Sequence, residues 1–163
     1  MDDPVSSLGV LAIIVLTVAI FIFSLSEAAL LSASRQLLRR RAREGNRRAQ
    51  IALQLVLQGD YLSATIIGVT ASIILISAIA TVLVHRHLGQ GAALWRELVH
   101  LATIACILAF AELTPKAYGS MYADDVALMV APFMAAATRL MLPASRAIAV
   151  ISSRVLALLR MPT

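Results

Sequence analysis

The sequence predicts an all-α integral membrane protein, with three transmembrane helices, an outside N-terminus, and a belt of amphipathic juxtamembrane helices on the cytoplasmic side. Three observations predict it. Hydrophobic residues make up 60% of 163 positions and charged residues only 14%, with a mean hydropathy of +0.87, too apolar for a water-soluble domain of this size. Three apolar runs are each long enough to cross a bilayer core. Half of the fourteen basic residues fall in one short loop between the first two runs, which places that loop in the cytoplasm. The length allows a single domain, 1–163, with spans at about 8–31, 62–84 and 94–113 and juxtamembrane helices at about 35–58 and 122–160.

The N-terminus, MDDPVSS, is acidic and has no basic stretch, which argues against a cleaved signal peptide and for an outside start. Leu8 to Leu31 gives 24 positions, about 36 Å at ~1.5 Å per residue. The inner part of this span changes character at Ser24, Ser26 and Glu27. The loop RQLLRRRAREGNRR then supplies Arg35, Arg39, Arg40, Arg41, Arg43, Arg47 and Arg48. Leu37, Leu38, Ile51, Leu53, Leu55 and Val56 give this region an apolar side, so its helices are expected to lie against the inner leaflet. The arginines would face anionic headgroups, which are nearer than any nucleic acid.

Gly59-Asp60 breaks the helix, and the second span follows. Thr65, Gly68, Thr70 and Ser72 sit in its inner half, and Ala64, Gly68 and Ser72 recur every four residues, a small face that another helix can approach closely. Packing alone would account for that face. His85, His87 and His100 straddle the outer turn around Gly89-Gln90-Gly91 without ligand spacing, and are read with Trp95 as interfacial groups.

The third span runs inward and ends in AELTPK. Glu112 lies inside the apolar run, where an ionisable group is costly enough to suggest function. Pro115 lacks an N–H, so a continuing helix would leave the carbonyl of Ala111 without its donor. A freed carbonyl beside a carboxylate is a pairing of oxygens that suits a cation. The alternative is that Pro115 ends the helix and Glu112 pairs with Lys116. Beyond it, Pro132 and Pro143 are expected to divide 124–160 into short helices. Arg139, Arg146, Arg154 and Arg160 fall within about 120° of one another at ~100° per residue, with Asp124 and Asp125 near the same stripe. A fourth span from Val126 to Ile151 would immerse Arg139 and Arg146, at about 2.5–3.5 kcal/mol each, so surface-lying helices are favoured.

The polar groups converge in depth. Ser24 and Gly68 each lie roughly 10 Å from the cytoplasmic end of their spans at ~1.5 Å per residue, and Glu112 lies in the last turn of the third. A pocket of Ser24, Ser26, Gly68, Thr70 and Glu112 would offer oxygens and one charge to a hard cation such as Mg²⁺ or Na⁺. Glu27, Ser72, Pro115 and Lys116 would shape or gate it. No zinc motif, nucleophile elbow or phosphate loop is present, so no enzyme is expected. Cys106, the single cysteine, cannot form an internal disulfide.

FSLSEAALLSASR, REGNRRAQIALQLV, YLSATIIGVTAS and AELTPKAYGSMYADDVALMVAPFM follow one another in the order and spacing of the CorC/CNNM (cyclin-M-like, HlyC/CorC) transmembrane domain. The chain resembles this family from about Ile22 to Leu140. The resemblance implies three spans, a juxtamembrane belt and a homodimer in the plasma (inner) membrane, with a bacterial or archaeal source expected. It also implies efflux of divalent cations, chiefly Mg²⁺, driven by Na⁺. Ser24-Leu25-Ser26-Glu27 matches the family's first-span site segment, Gly68 its second-span glycine, and Glu112, Pro115 and Lys116 its acidic motif. The departures are Ile20 where a serine is usual, Val69 and Ile73 where asparagines are usual, and Ala111 where a glycine precedes the acid. Val69-Thr70 resembles a Gly-Val-Thr subgroup whose cargo extends to organic cations such as polyamines. Most members continue into paired CBS modules and a small C-terminal domain, whereas this sequence reaches Thr163 just after the belt. A dimeric anchor or regulator that transports nothing is the competing expectation.

Overall fold

In the computed structural model, residues 4–88 and 93–158 are described, and all of the regular structure among them is helical. Helix α1 (Pro4–Ser32) leads to two short helices, α2 (Arg35–Arg43) and α3 (Arg47–Gln58), and then to α4 (Asp60–Leu88). From residue 93, α5 (Ala93–Ile107) passes through a π-helical turn (Leu108–Leu113) into α6 (Thr114–Met121). The last helix is α7 (Ala123–Leu158). Among the described residues, four segments are long and apolar enough to cross a membrane: Ser6–Ser32, Asp60–Arg86, Glu97–Met121 and Ala123–Ala144.

Local chemistry sets the breaks. Ser34 caps α2 by accepting from the Leu37 N–H, and its own N–H donates to Asp124 Oδ1 at 2.8 Å. That bond ties the start of α2 to the start of α7, 90 residues away in sequence. Asn46 caps α3 through the Arg48 and Ala49 N–H groups. Gly59 ends α3 in the left-handed region, φ +74°, where a Cβ would be strained. The expected break at Gly59-Asp60 is therefore present, and α2 and α3 fill the expected 35–58 region.

Two buried clusters hold the bundle. The lower joins Phe23, Leu25, Ala29 and Leu30 of α1 to Leu38 of α2, Ala52 and Leu55 of α3, Tyr61 of α4, and Val126, Ala127, Val130, Ala131 and Met134 of α7. The upper joins Ile20, Ile76 and Ala111, with Ile13, Leu16, Val69, Ile73 and Ile107 packed around them. α7 contributes to the lower cluster alone. Its packed residues from Val126 to Met141 extend roughly 22 Å at ~1.5 Å per residue, and they share this cluster with the end of α1 that leads into α2, with α2 and α3, and with the start of α4. Of its stretch long enough to span, 44% is buried, against 22%, 22% and 11% for the other three. This segment is thus the best covered by protein.

One expectation is corrected. Pro132 and Pro143 do not divide the last segment: both lie inside one continuous α7. Both are exposed, so each missing N–H falls on the outer side, while buried Val130, Ala131 and Met134 keep the helix packed across Pro132. Beyond residue 113, helix continues to Met121 through the π turn. Within the arginine stripe of α7, Arg139 is exposed. The side chains of Arg146 and Arg154, and Arg160 altogether, lie outside the described residues, as do Gly89-Gln90-Gly91, the side chain of His87 and the first three residues of MDDPVSS.

Candidate functional site

The acid at the end of the third span has a partner from the first. Lys116 Nζ donates to Glu112 Oε1 at 3.1 Å, one helical turn away, and lies 3.5 Å from Glu27 Oε2 of α1. The two carboxylates are 23% and 20% exposed and the lysine 38%. One ammonium between two carboxylates leaves a net charge of −1 in a largely covered place. So partly screened a triad adds only about 0–1 kcal/mol per pair to stability; its importance is where it puts two carboxylates.

The π turn explains why Glu112 points there. Widening from i+4 to i+5 bonding sends both the N–H and the hydroxyl of Thr114 to the Ala109 carbonyl, the latter at 3.0 Å. Pro115, fully buried, has no N–H to give. Pro115 would leave the Ala111 carbonyl without a main-chain donor at α spacing and the Phe110 carbonyl without one at π spacing, so a freed carbonyl is expected in this turn in either register. π turns of this kind are frequent at functional sites.

Close backbone approach fixes the other side. A Cβ on Gly119 would stand 2.6 Å from the Leu25 carbonyl oxygen and 3.3 Å from the Ala29 nitrogen. Only glycine lets α6 lie so near the Ser24–Glu27 segment. The sequence reading missed Gly119, although a glycine inside AYGSM, with no turn to make, is the local signal for it.

The remaining candidates divide. Ser24 is 0% exposed and its Oγ has no hydrogen-bond partner. On α1 it lies within about 60° of Ile20 and Glu27 at ~100° per residue, the first packed on Ala111 and the second paired to Lys116. An orphaned hydroxyl between those two contacts needs a partner oxygen, water or ion. Ser26 is equally buried, but its hydroxyl bonds back to Ile22 O at 2.6 Å. Ser72 likewise donates to Gly68 O at 2.8 Å. Gly68 is buried beneath Phe23, whose ring would stand 2.8 Å from an added Cβ. Thr70 is exposed and turned away from that face. Among the described residues, no three of His, Cys, Asp and Glu gather as a metal-binding group, so hydroxyl and carbonyl oxygens would have to complete any cation shell.

Gly68→Ala is expected to cost about 1–3 kcal/mol by overpacking, and Phe23→Leu in the same chain should recover most of it in thermal melts. Absence of recovery would mean that Gly68 serves something other than its contact with Phe23.

Among the arginines, Arg41 is half-buried and 3.5 Å from Asp125, whereas Arg35, Arg39, Arg40, Arg43, Arg47 and Arg48 are exposed. At the outer end His100 Nε2 meets Ser77 Oγ at 3.3 Å and His85 Nδ1 meets Thr81 O at 2.9 Å, polar contacts within the α4–α5 pair.

A family model described as the cyclin M transmembrane N-terminal domain matches residues 11–163. The chain belongs to this family. With its apolar helices, membership makes the protein a multi-pass membrane protein, in a family that is a transporter-type membrane domain and not an enzyme class. A comparison with curated proteins finds no match. In this cyclin M domain the four departures read from the sequence gather in one place: Ile20, Val69, Ile73 and Ala111 all belong to the upper apolar cluster, next to the carboxylate pair through Ala111.

Proposed function

We propose that this cyclin M domain moves cations across the plasma membrane, through an inner-half site at which Glu112 and Glu27 hold the cargo. The observation that carries the proposal is the ammonium of Lys116 lying between those two carboxylates. A place that binds one cation between two acids can bind another, so cargo would compete with Lys116 for Glu112. The orphaned Ser24 hydroxyl and the proline-freed carbonyl would add neutral oxygens, whereas Thr70 is a poor candidate in this conformation. Mg²⁺ is the first cargo to test, with Na⁺ as the driving ion, on the strength of the family. Release outward requires the spans to rock about the site.

The proposal takes 1–163 as one transmembrane unit working as a homodimer, with α1, α4 and α5–α6 spanning and α2, α3 and α7 forming the inner belt. Restriction of α7 to the lower cluster supports that belt, and the exposed arginines would rest on anionic headgroups. A reporter fused to the C-terminus should appear in the cytoplasm; a signal from outside would make α7 a fourth span.

One observation favours a second reading. The wall above the acids is apolar at Ile20, Val69 and Ile73, which suits the methylenes of an organic ammonium better than the six oxygens that Mg²⁺ prefers. Thermal melting with Mg²⁺, Mn²⁺, Na⁺ or a polyamine separates the two. A ligand at 100 times its Kd stabilises by about 2.7 kcal/mol. Stabilisation by Mg²⁺ supports the first reading, by polyamine alone the second, and by none of them a non-transporting anchor.

A further inference from the structure

The arginines of α2 do more than mark a cytoplasmic loop. Gln36, Arg39, Arg40 and Arg43 lie within about 100° of one another on the helix at ~100° per residue, and with Glu44 they line an open groove of about 430 Å³. The opposite side of α2 is docked: Leu38 is fully buried, and Arg41 is held toward α7 by Asp125. Both ends are tied, by Ser34 to Asp124 and by Gln50 Nε2 to Ala42 O at 3.3 Å. The groove is therefore presented on a fixed platform. Within it Arg40 is engaged by Glu44 at 3.1 Å, while Arg39 and Arg43, one turn apart, have no carboxylate partner among the described residues.

We propose that this groove binds a dianionic phosphate monoester, held by the guanidinium groups of Arg39 and Arg43 with the Gln36 amide beside them. Two guanidinium groups at i and i+4 can each give paired N–H donors to phosphate oxygens, as lysines could not. A phosphomonoester carries about −1.5 to −2 charges near neutral pH, which matches two unpaired arginines better than the single charge of a phosphodiester. The source is a lipid headgroup such as phosphatidic acid or a soluble phosphate. The inference deepens the reading of the arginine loop as a headgroup surface and is independent of any transported cation.

The test uses the whole chain in detergent micelles, with binding read by thermal shift. One arm titrates glycerol 3-phosphate, a soluble monoester. The other compares dioctanoyl phosphatidic acid with dioctanoyl phosphatidylglycerol. Phosphatidic acid or glycerol 3-phosphate should bind, with phosphatidylglycerol at least about tenfold weaker, and the arm that responds names the source. Arg39→Gln with Arg43→Gln should weaken binding at least about tenfold, while Arg47→Gln with Arg48→Gln, which removes the same charge outside the groove, leaves it nearly unchanged. Glu44→Gln should tighten it by freeing Arg40, a gain that misfolding cannot mimic. Equal losses in the two arginine pairs, without preference for the monoester, would overturn the groove and leave the general headgroup surface standing. Because the assay reads binding and not flux, failure of the transport reading would not alter its result.

Discussion

Under the proposed transport role, cation flux into liposomes carrying Glu112→Gln is expected to fall to background while the protein keeps its fold. The substitution keeps the shape of the side chain and removes one of the two charges between which Lys116 lies. Glu27 remains within 3.5 Å of the ammonium, so Lys116 is not left unpaired. The lost pair is partly exposed, and its contribution to stability is about 0–1 kcal/mol. A large loss of flux with a small shift in melting is thus the signature of a residue that meets the cargo. Glu27→Gln should give a weaker form of the same phenotype. Flux equal to the parent in Glu112→Gln would remove the carboxylate pair from any transport role.

Gly119→Ala is expected to give a larger loss of stability than a methyl added at any other described helical glycine. The new Cβ would lie 2.6 Å from a main-chain carbonyl oxygen of α1, an atom that cannot swing aside as a side chain can. Overpacking of this kind costs about 1–3 kcal/mol or more. Relief requires α6 to move away from the Ser24–Glu27 segment, which would also pull Lys116 from Glu27. Gly9→Ala is the matched control, because its nearest atoms are the Leu83 methyls, 3.2 Å away on a flexible side chain. Melting temperatures of the two variants decide it; an equal, small loss in both would mean that α1 and α6 are not in close backbone contact.

Much of the fold was readable because its signals are local. Apolar runs mark α1, α4 and α5, and Gly59 with its positive φ separates α3 from α4. The lysine four residues beyond Glu112 was also visible as the simpler alternative for that acid, and the pair forms. Less was readable where a local rule met tertiary packing. Pro132 suggests a break, yet α7 is held through it by buried residues on the far side of the helix. Pro115 suggests a simple helix end or a freed carbonyl, but no residue preference announces the π turn that carries the helix through it. The proposed oxygen pocket kept Ser24 and Glu112 as candidates. It misplaced Thr70, because depth along a helix says nothing about which way a side chain faces.

By itself the sequence determined the membrane class, the cytoplasmic arginine loop expected between the first two apolar helices, and the family, since hydropathy, charge and motif spacing survive without coordinates. Only the tertiary structure decided that Glu27 shares Lys116 with Glu112 and that Ile20, Val69, Ile73 and Ala111 meet in one apolar cluster. The physical reason is the same in both cases. Such contacts join segments tens of residues apart, and the azimuth and separation of packed helices, set here by a glycine against a carbonyl and by a widened turn, are not written in any one stretch of chain.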